Sequence, residues 1–230
     1  MDSDPLTFDL MQPSLFHIHN TTTGAVELFP TVWSAAENLA SPDKNLRMAA
    51  LDQLVELKAP RLSPLVAYIV ATRLTDPDLT IRKKVVKVLG EVLSHDKDGK
   101  PAPDAVYSHL TGYLSQMRFR PIYSILEVAA SDIRLEKYAA RLLNACPYGG
   151  GHLAGILADR KIPFDVRKEA VRLIGLVGYL DAFSVLEKLE SRLATKLSGQ
   201  QVMSFAPQSP PEETELLPVI RSALRMLQSA

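Results

Sequence analysis

A single cysteine, Cys146, leaves no intramolecular disulfide available and points to a reducing compartment. Net charge is missing as well. Lys plus Arg and Asp plus Glu number 26 each, so the whole chain exerts no pull toward nucleic acid or membrane. No apolar run reaches the roughly 20 residues that a membrane-spanning helix needs; the longest stretches include Leu65–Ala71 and Leu173–Leu180. Met1–Asp9 is acidic and lacks the basic start and apolar centre of a signal peptide. These absences give the expectation of a soluble, cytoplasmic chain without membrane contact. What is present is size and apolar content: 230 residues at 47% hydrophobic can bury a substantial core without metal or disulfide.

Strand signals are confined to the N-terminus. Leu15–His19 and Ala25–Phe29 alternate apolar and polar residues around Asn20–Gly24, which predicts a β-hairpin in an arm of residues 1–29. Such a hairpin is barely stable alone and is expected to pack on the first helix or on another chain. From residue 30 to residue 230 the period is helical. Asp165–Asp181 is the clearest case: Val166, Ala170, Leu173, Ile174 and Val177 recur at i, i+4, i+7, i+8 and i+11, with Asp165 placed as N-cap and Gly178 as stop. The spacing predicts eleven helices, with Leu46 and Leu57 inward on the second, Leu65 inward on the third and Ile133 opening the seventh. A Ser/Gln/Pro-rich stretch over about 198–212 reads as a mobile linker.

Five of these helices share an aliphatic-Arg pair near their start: Leu46-Arg47, Ile81-Arg82, Ile133-Arg134, Val166-Arg167 and Ile220-Arg221. Arg47 and Arg82 lie 35 residues apart, and Arg134 and Arg167 lie 33 apart. A period of that length in paired helices means that each pair buries its apolar face only by stacking on its neighbours. Asp76–Val92 and Asp165–Leu189 resemble the HEAT repeat family, in particular its short phycobilisome-lyase-type repeats. The resemblance implies an all-α, right-handed α-solenoid of about five helix pairs. It also implies that Asp76, Arg47, Arg82 and Arg167 bond between neighbouring repeats as a structural ladder. The gap of 52 residues from Arg82 to Arg134 breaks the period and accommodates an additional helix, so the register over 103–131 is open.

No residue set specifies a reaction. His17-x-His19 has a spacing a metal could use, but no third ligand stands near it, so no metal site is assigned. Tyr148-Gly-Gly-Gly-His152 ahead of a helix could cradle an anion, although it follows a helix and lacks the Lys-[Ser/Thr] ending. Cys146 is expected as a buried small hydrophobe rather than a nucleophile. Some HEAT-like proteins are di-iron hydroxylases with repeated His-Glu pairs, and this chain has no His-Glu dipeptide. Other helical-repeat proteins are DNA glycosylases using Trp and Asp, whereas Trp33 lies in the acidic first third. Non-catalytic binding, with no cofactor, is therefore the expectation.

Charge supplies the one positive clue. Residues 1–81 carry five cations against ten carboxylates, residues 82–172 sixteen against ten, and the remainder five against six. Lys83, Lys84, Lys87, Lys137, Arg141, Lys168 and Arg172 stand off the apolar stripes of the central helices. By the resemblance, the second helix of each pair lines the concave side, so these seven could converge on one surface. Glu91, Glu136 and Glu169 are interleaved and could equally neutralise it as a solvated face. No aromatic residues alternate with the cations, so an acidic protein segment suits the strip better than nucleic acid, which stays as the alternative.

Overall fold

The computed structural model describes residues 25–202 and 211–229. Among these residues all regular structure is helical, and no helix is long and apolar enough to cross a membrane. The α-helices are α1 (Pro30–Asn38), α2 (Lys44–Glu56), α3 (Ala59–Leu62), α4 (Pro64–Thr72), α5 (Leu79–Val92) and α6 (Asp104–Ser115). They continue with α7 (Phe119–Ser131), α8 (Glu136–Asn144), α9 (Gly149–Ala158), α10 (Phe164–Val177), α11 (Phe183–Val202) and α12 (Pro211–Ser229).

Local chemistry starts and stops these helices where a physical signal exists. The Asp43 carboxylate accepts from Asn45 N, and that of Asp78 accepts from Thr80 N and Ile81 N. Ser63 caps α4 through Val66 N at 3.1 Å, with Pro64 in the first turn. Gly178 ends α10 at φ +84°, and the amides of Gly178 and Tyr179 both return to Ile174 O. Asp165 sits inside the first turn of α10 and does not cap it, because the helix begins one residue earlier, at Phe164.

The helices pack in a regular order. α2, α5, α8, α10 and α12 contact one another in succession, and α10 packs most extensively on α12. α1 pairs with α2, α7 with α8, α9 with α10 and α11 with α12. α6 lies on α4, where Tyr68 and Tyr113 meet edge to face at 5.3 Å. It is this helix that stretches the interval between Arg82 and Arg134.

Several expectations change. Ala25–Leu28 is a 3-10 turn and not a strand, tied back by the Trp33 indole donating to Glu27 O at 2.6 Å and by Ser63 bonding to the Glu27 carboxylate. The strand expected at Leu15–His19, like His17 and His19, lies outside the described residues. The 198–212 segment is partly helical: α11 runs on to Val202 and α12 starts at Pro211, with 203–210 outside the described residues. Leu46 is 49% exposed and Leu57 and Leu65 are exposed too, whereas Arg47, Val66 and Ala67 are buried. Ile133 is also exposed, in a 3-10 turn ahead of α8.

Candidate functional site

Arg47 is buried because α2 packs against the turn that precedes α5. Its guanidinium donates to both oxygens of Asp76, at 2.8 and 3.0 Å, and to Ser41 O and Pro42 O at 3.0 Å. Asp76 in turn accepts from Asp78 N at 2.9 Å, so one buried pair joins two helix pairs. Arg82 reaches α7, donating to Glu127 at 2.9 Å and lying 3.4 Å from Ser124 Oγ. Arg167 donates to Leu157 O at 3.2 Å and stands 3.6 Å from Glu212 at the start of α12. The three arginines thus share a position in their helices but not a kind of partner. Arg134 turns to Asp132, two residues back, and holds that carboxyl down at about 2.

The seven strip cations fall on α5, α8 and α10. Lys84 pairs with Asp52 of α2, and Arg141 donates to Gly90 O of α5 at 3.3 Å. Lys168 lies 2.9 Å from Glu215 of α12. Arg172 lies 2.8 Å from Glu136 Oε1 of α8, donates to Oε2 at 3.0 Å, and stands 3.5 Å from Glu169 one turn back. These four side chains therefore bridge successive second helices. Lys87 is 3.9 Å from Glu91 on its own helix, Lys137 sits 4.9 Å from the Tyr138 ring, and Lys83 is half-buried near Asp132.

Glu169 is the member of this zone that sequence reading placed outside the core and the structure buries, at 4% exposure. Burial pushes its carboxyl up to about 7, the Glu136 charge adds to the rise, and Arg172 opposes it. One Glu169 oxygen, Oε1, has no hydrogen-bond partner.

Apolar side chains stand uncovered beside the cations. Leu176 is 49% exposed and Met226 41%. A groove of about 480 Å³ among α8, α10 and α12 is lined by Leu176, Val219, Ala223 and Met226 together with Lys168 and Arg172. A second, of about 490 Å³, shares Leu176 and adds Leu93, Tyr107 and Arg141. This is an apolar surface with a basic margin, formed along the row of second helices.

The other candidates have ordinary explanations. The Cys146 thiol is buried, pushed up by that burial, and lies 3.7 Å from Met117 O. Gly149 and Gly150 are small because Tyr179 and Asp181 pack against them; the Asp181 carboxylate already stands at the α9 start where an anion would sit. The Tyr179 hydroxyl is shared between Leu143 O and Cys146 O, at 2.5 and 2.9 Å. Among the described residues no three His, Cys, Asp or Glu side chains cluster as metal ligands would. No protein-family model matches the chain, and neither a curated protein nor a solved structure matches it.

Proposed function

We propose that the chain is a right-handed α-solenoid of about five HEAT-like helix pairs, acting as a non-catalytic scaffold for a protein partner in the cytoplasm. The partner surface is the row of second helices, and the occupant is an acidic segment with apolar anchors. The observation that carries this reading is the exposure of Leu176 and Met226 in grooves bordered by Arg141, Lys168 and Arg172. Apolar area supplies affinity there, and Lys137 and Arg141, which hold a tyrosine ring and a carbonyl rather than a carboxylate, favour acidic partners. The ladder role of Arg47, Asp76, Arg82 and Arg167 fits the same reading, since each holds neighbouring helices in place. Nucleic-acid binding is the second reading, and the carboxylates bound to Lys84, Lys168 and Arg172 weigh against it.

The test is affinity capture from native lysate with wild type and with Leu176→Asp/Met226→Asp, both checked for unchanged melting. Partners held by wild type and lost by the variant support the scaffold reading. Identical captured sets would remove this surface from it. Titrating duplex DNA at low salt settles the second reading: absent binding there eliminates it.

A further inference from the structure

The end of α9, the start of α10, α11 and the start of α12 enclose another groove, of about 490 Å³. It lies toward the Phe164 end of α10, away from Leu176. Phe164, Val185, Leu189, Leu193 and Leu216 line it with apolar surface, and Arg160, Arg167, Lys188 and Arg192 stand around it. Arg167 is engaged by Leu157 O and Glu212, and Glu213 is engaged by Lys196. Among the described residues, no carboxylate lies within 4.0 Å of the cationic groups of Arg160, Lys188 or Arg192. Lys188, Arg192 and Lys196 recur every four residues, which makes one cationic edge along α11.

The charge that would balance this edge is not in the segment next to it, because residues 203–210 contain no Asp or Glu. Asp2, Asp4 and Asp9 are the side-chain carboxylates of the chain that lie beyond the described residues. They sit in a stretch with no Lys or Arg before Lys44. Among them are Leu6, Phe8 and Leu10, at alternate positions. In an extended backbone those three share one face and span about 13 Å, at ~3.3 Å per residue. Val185 to Leu193 along α11 covers about 12 Å, at 1.5 Å per residue. Charge and anchor spacing both match.

We propose that residues 2–10 of the chain dock into this groove of the same molecule, with Leu6, Phe8 and Leu10 on the apolar floor. Asp2 and Asp4, which share that face, then meet cations among Arg160, Lys188 and Arg192, while Asp9 faces outward. The 14 residues 11–24 extend to roughly 46 Å at ~3.3 Å each. α2, α5, α8, α10 and α12 follow one another in contact, four steps of ~8–10 Å each, so a tether of that length reaches from Ala25 to the groove. Attachment also raises the effective concentration of the segment to the millimolar range, which favours the intramolecular form over a second copy. The groove is distinct from the surface proposed for partner binding, so the two readings fail independently.

The experiment uses the full-length chain and a fluorescein-labelled peptide of residues 1–14, read by fluorescence anisotropy. The peptide binds Asp2→Asn/Asp4→Asn/Asp9→Asn chains saturably, and wild type at least ~10-fold more weakly because its own segment competes. Adding Lys188→Glu/Arg192→Glu to the neutralised chain removes binding, while adding Leu176→Asp leaves it unchanged. Raising salt from 50 to 500 mM weakens it. Equal affinity for wild type and the Asp→Asn chain overturns the proposal, as does absence of saturable binding or indifference to Lys188→Glu/Arg192→Glu. A concentration-dependent dimer in sedimentation, lost on Asp→Asn substitution, would place the segment in a second copy and overturn the intramolecular form. The Asp→Asn substitutions lie outside the described residues and leave the groove side chains unaltered, so this arm of the test does not depend on the groove variants folding.

Discussion

Replacing Glu169 with Gln removes a carboxyl that the fold holds in an unfavourable place, and the consequence depends on pH in a defined direction. In the folded chain the group titrates at about 7, against 4.5 in a free side chain. Below pH 4.5 both states are protonated and Glu169 is free to sit uncharged between α8 and α10. Between 4.5 and 7 the unfolded chain loses the proton first, so stability falls with rising pH, and above 7 the full cost is present. At ~1.4 kcal/mol per pH unit the interval is worth about 3 kcal/mol. Arg172 is 38% exposed on its side chain, which lets solvent screen the site and reduces the working value to about 1.5 kcal/mol. Gln keeps the shape and the hydrogen-bonding capacity without the charge. Glu169→Gln is therefore expected to match wild type at pH 4.5–5 and to melt ~3–6 °C higher at pH 8, at 2–4 °C per kcal/mol for a chain of this size. Thermal denaturation followed by circular dichroism from pH 4.5 to 8.5 measures it. The decisive quantity is the difference between the two curves, because other titrating groups cancel. A difference that stays constant with pH would refute the argument that burial and Glu136 raise the group.

Three further expectations test the packing and the ladder. A Cβ on Gly90 would lie 2.7 Å from Tyr138 Cβ and 3.0 Å from its Cα, so Gly90→Ala must force α5 from α8 and cost ~1–3 kcal/mol. Gly112→Ala on α6 meets open space and gains ~0.5–1 kcal/mol; urea unfolding reads both, and equal signs would sink the contrast. Arg47→Met leaves the Asp76 carboxylate buried and unpaired, at a cost of ~3–5 kcal/mol, and adding Asp76→Asn recovers part of it. Additive losses in that double-mutant cycle would show that the pair is not coupled. Tyr179→Phe removes the hydroxyl shared by Leu143 O and Cys146 O and lowers the melting temperature by ~3–6 °C, corresponding to ~1–2 kcal/mol; no shift would mean that water replaces it.

The helical content and the inward stripe of α10 were legible because each depends on neighbours three or four residues away. Val166, Ala170, Leu173 and Ile174 are buried where the period puts them. The misplacements of Leu46 and Glu169 have a common cause, which is that the deciding partner is distant in sequence. Hydrophobicity alone puts Leu46 inward, yet Arg47 takes the interior because Asp76, 29 residues on, can pair with it. Its charge alone puts Glu169 outward, yet α10 is contacted by α7, α8, α9 and α12 and has little surface left to offer. Ala25–Phe29 alternates like a strand, but Pro30 starts a helix directly after it and Glu27 bonds to Trp33 and Ser63. The cationic edge of α11 is hidden in the sequence for a different reason: Lys188, Arg192 and Lys196 lie in a C-terminal segment, residues 173–230, whose five cations are offset by six carboxylates.

The two basic surfaces differ in a way that net charge does not reveal. On the second-helix row, Lys84, Lys168 and Arg172 already hold Asp52, Glu215 and Glu136, so an acidic partner gains their attraction only by displacing a carboxylate of the same molecule. Exchange of one ion pair for another yields little free energy in water. Affinity there must come from Leu176, Met226 and Tyr107, and should depend weakly on salt. Along α11 and the turn before α10, Lys188, Arg192 and Arg160 have no such prior commitment among the described residues. A carboxylate arriving there makes a new pair and displaces nothing, so its binding should weaken steeply as salt rises. Salt dependence therefore separates the two surfaces even when their ligands share the same acidic and apolar character.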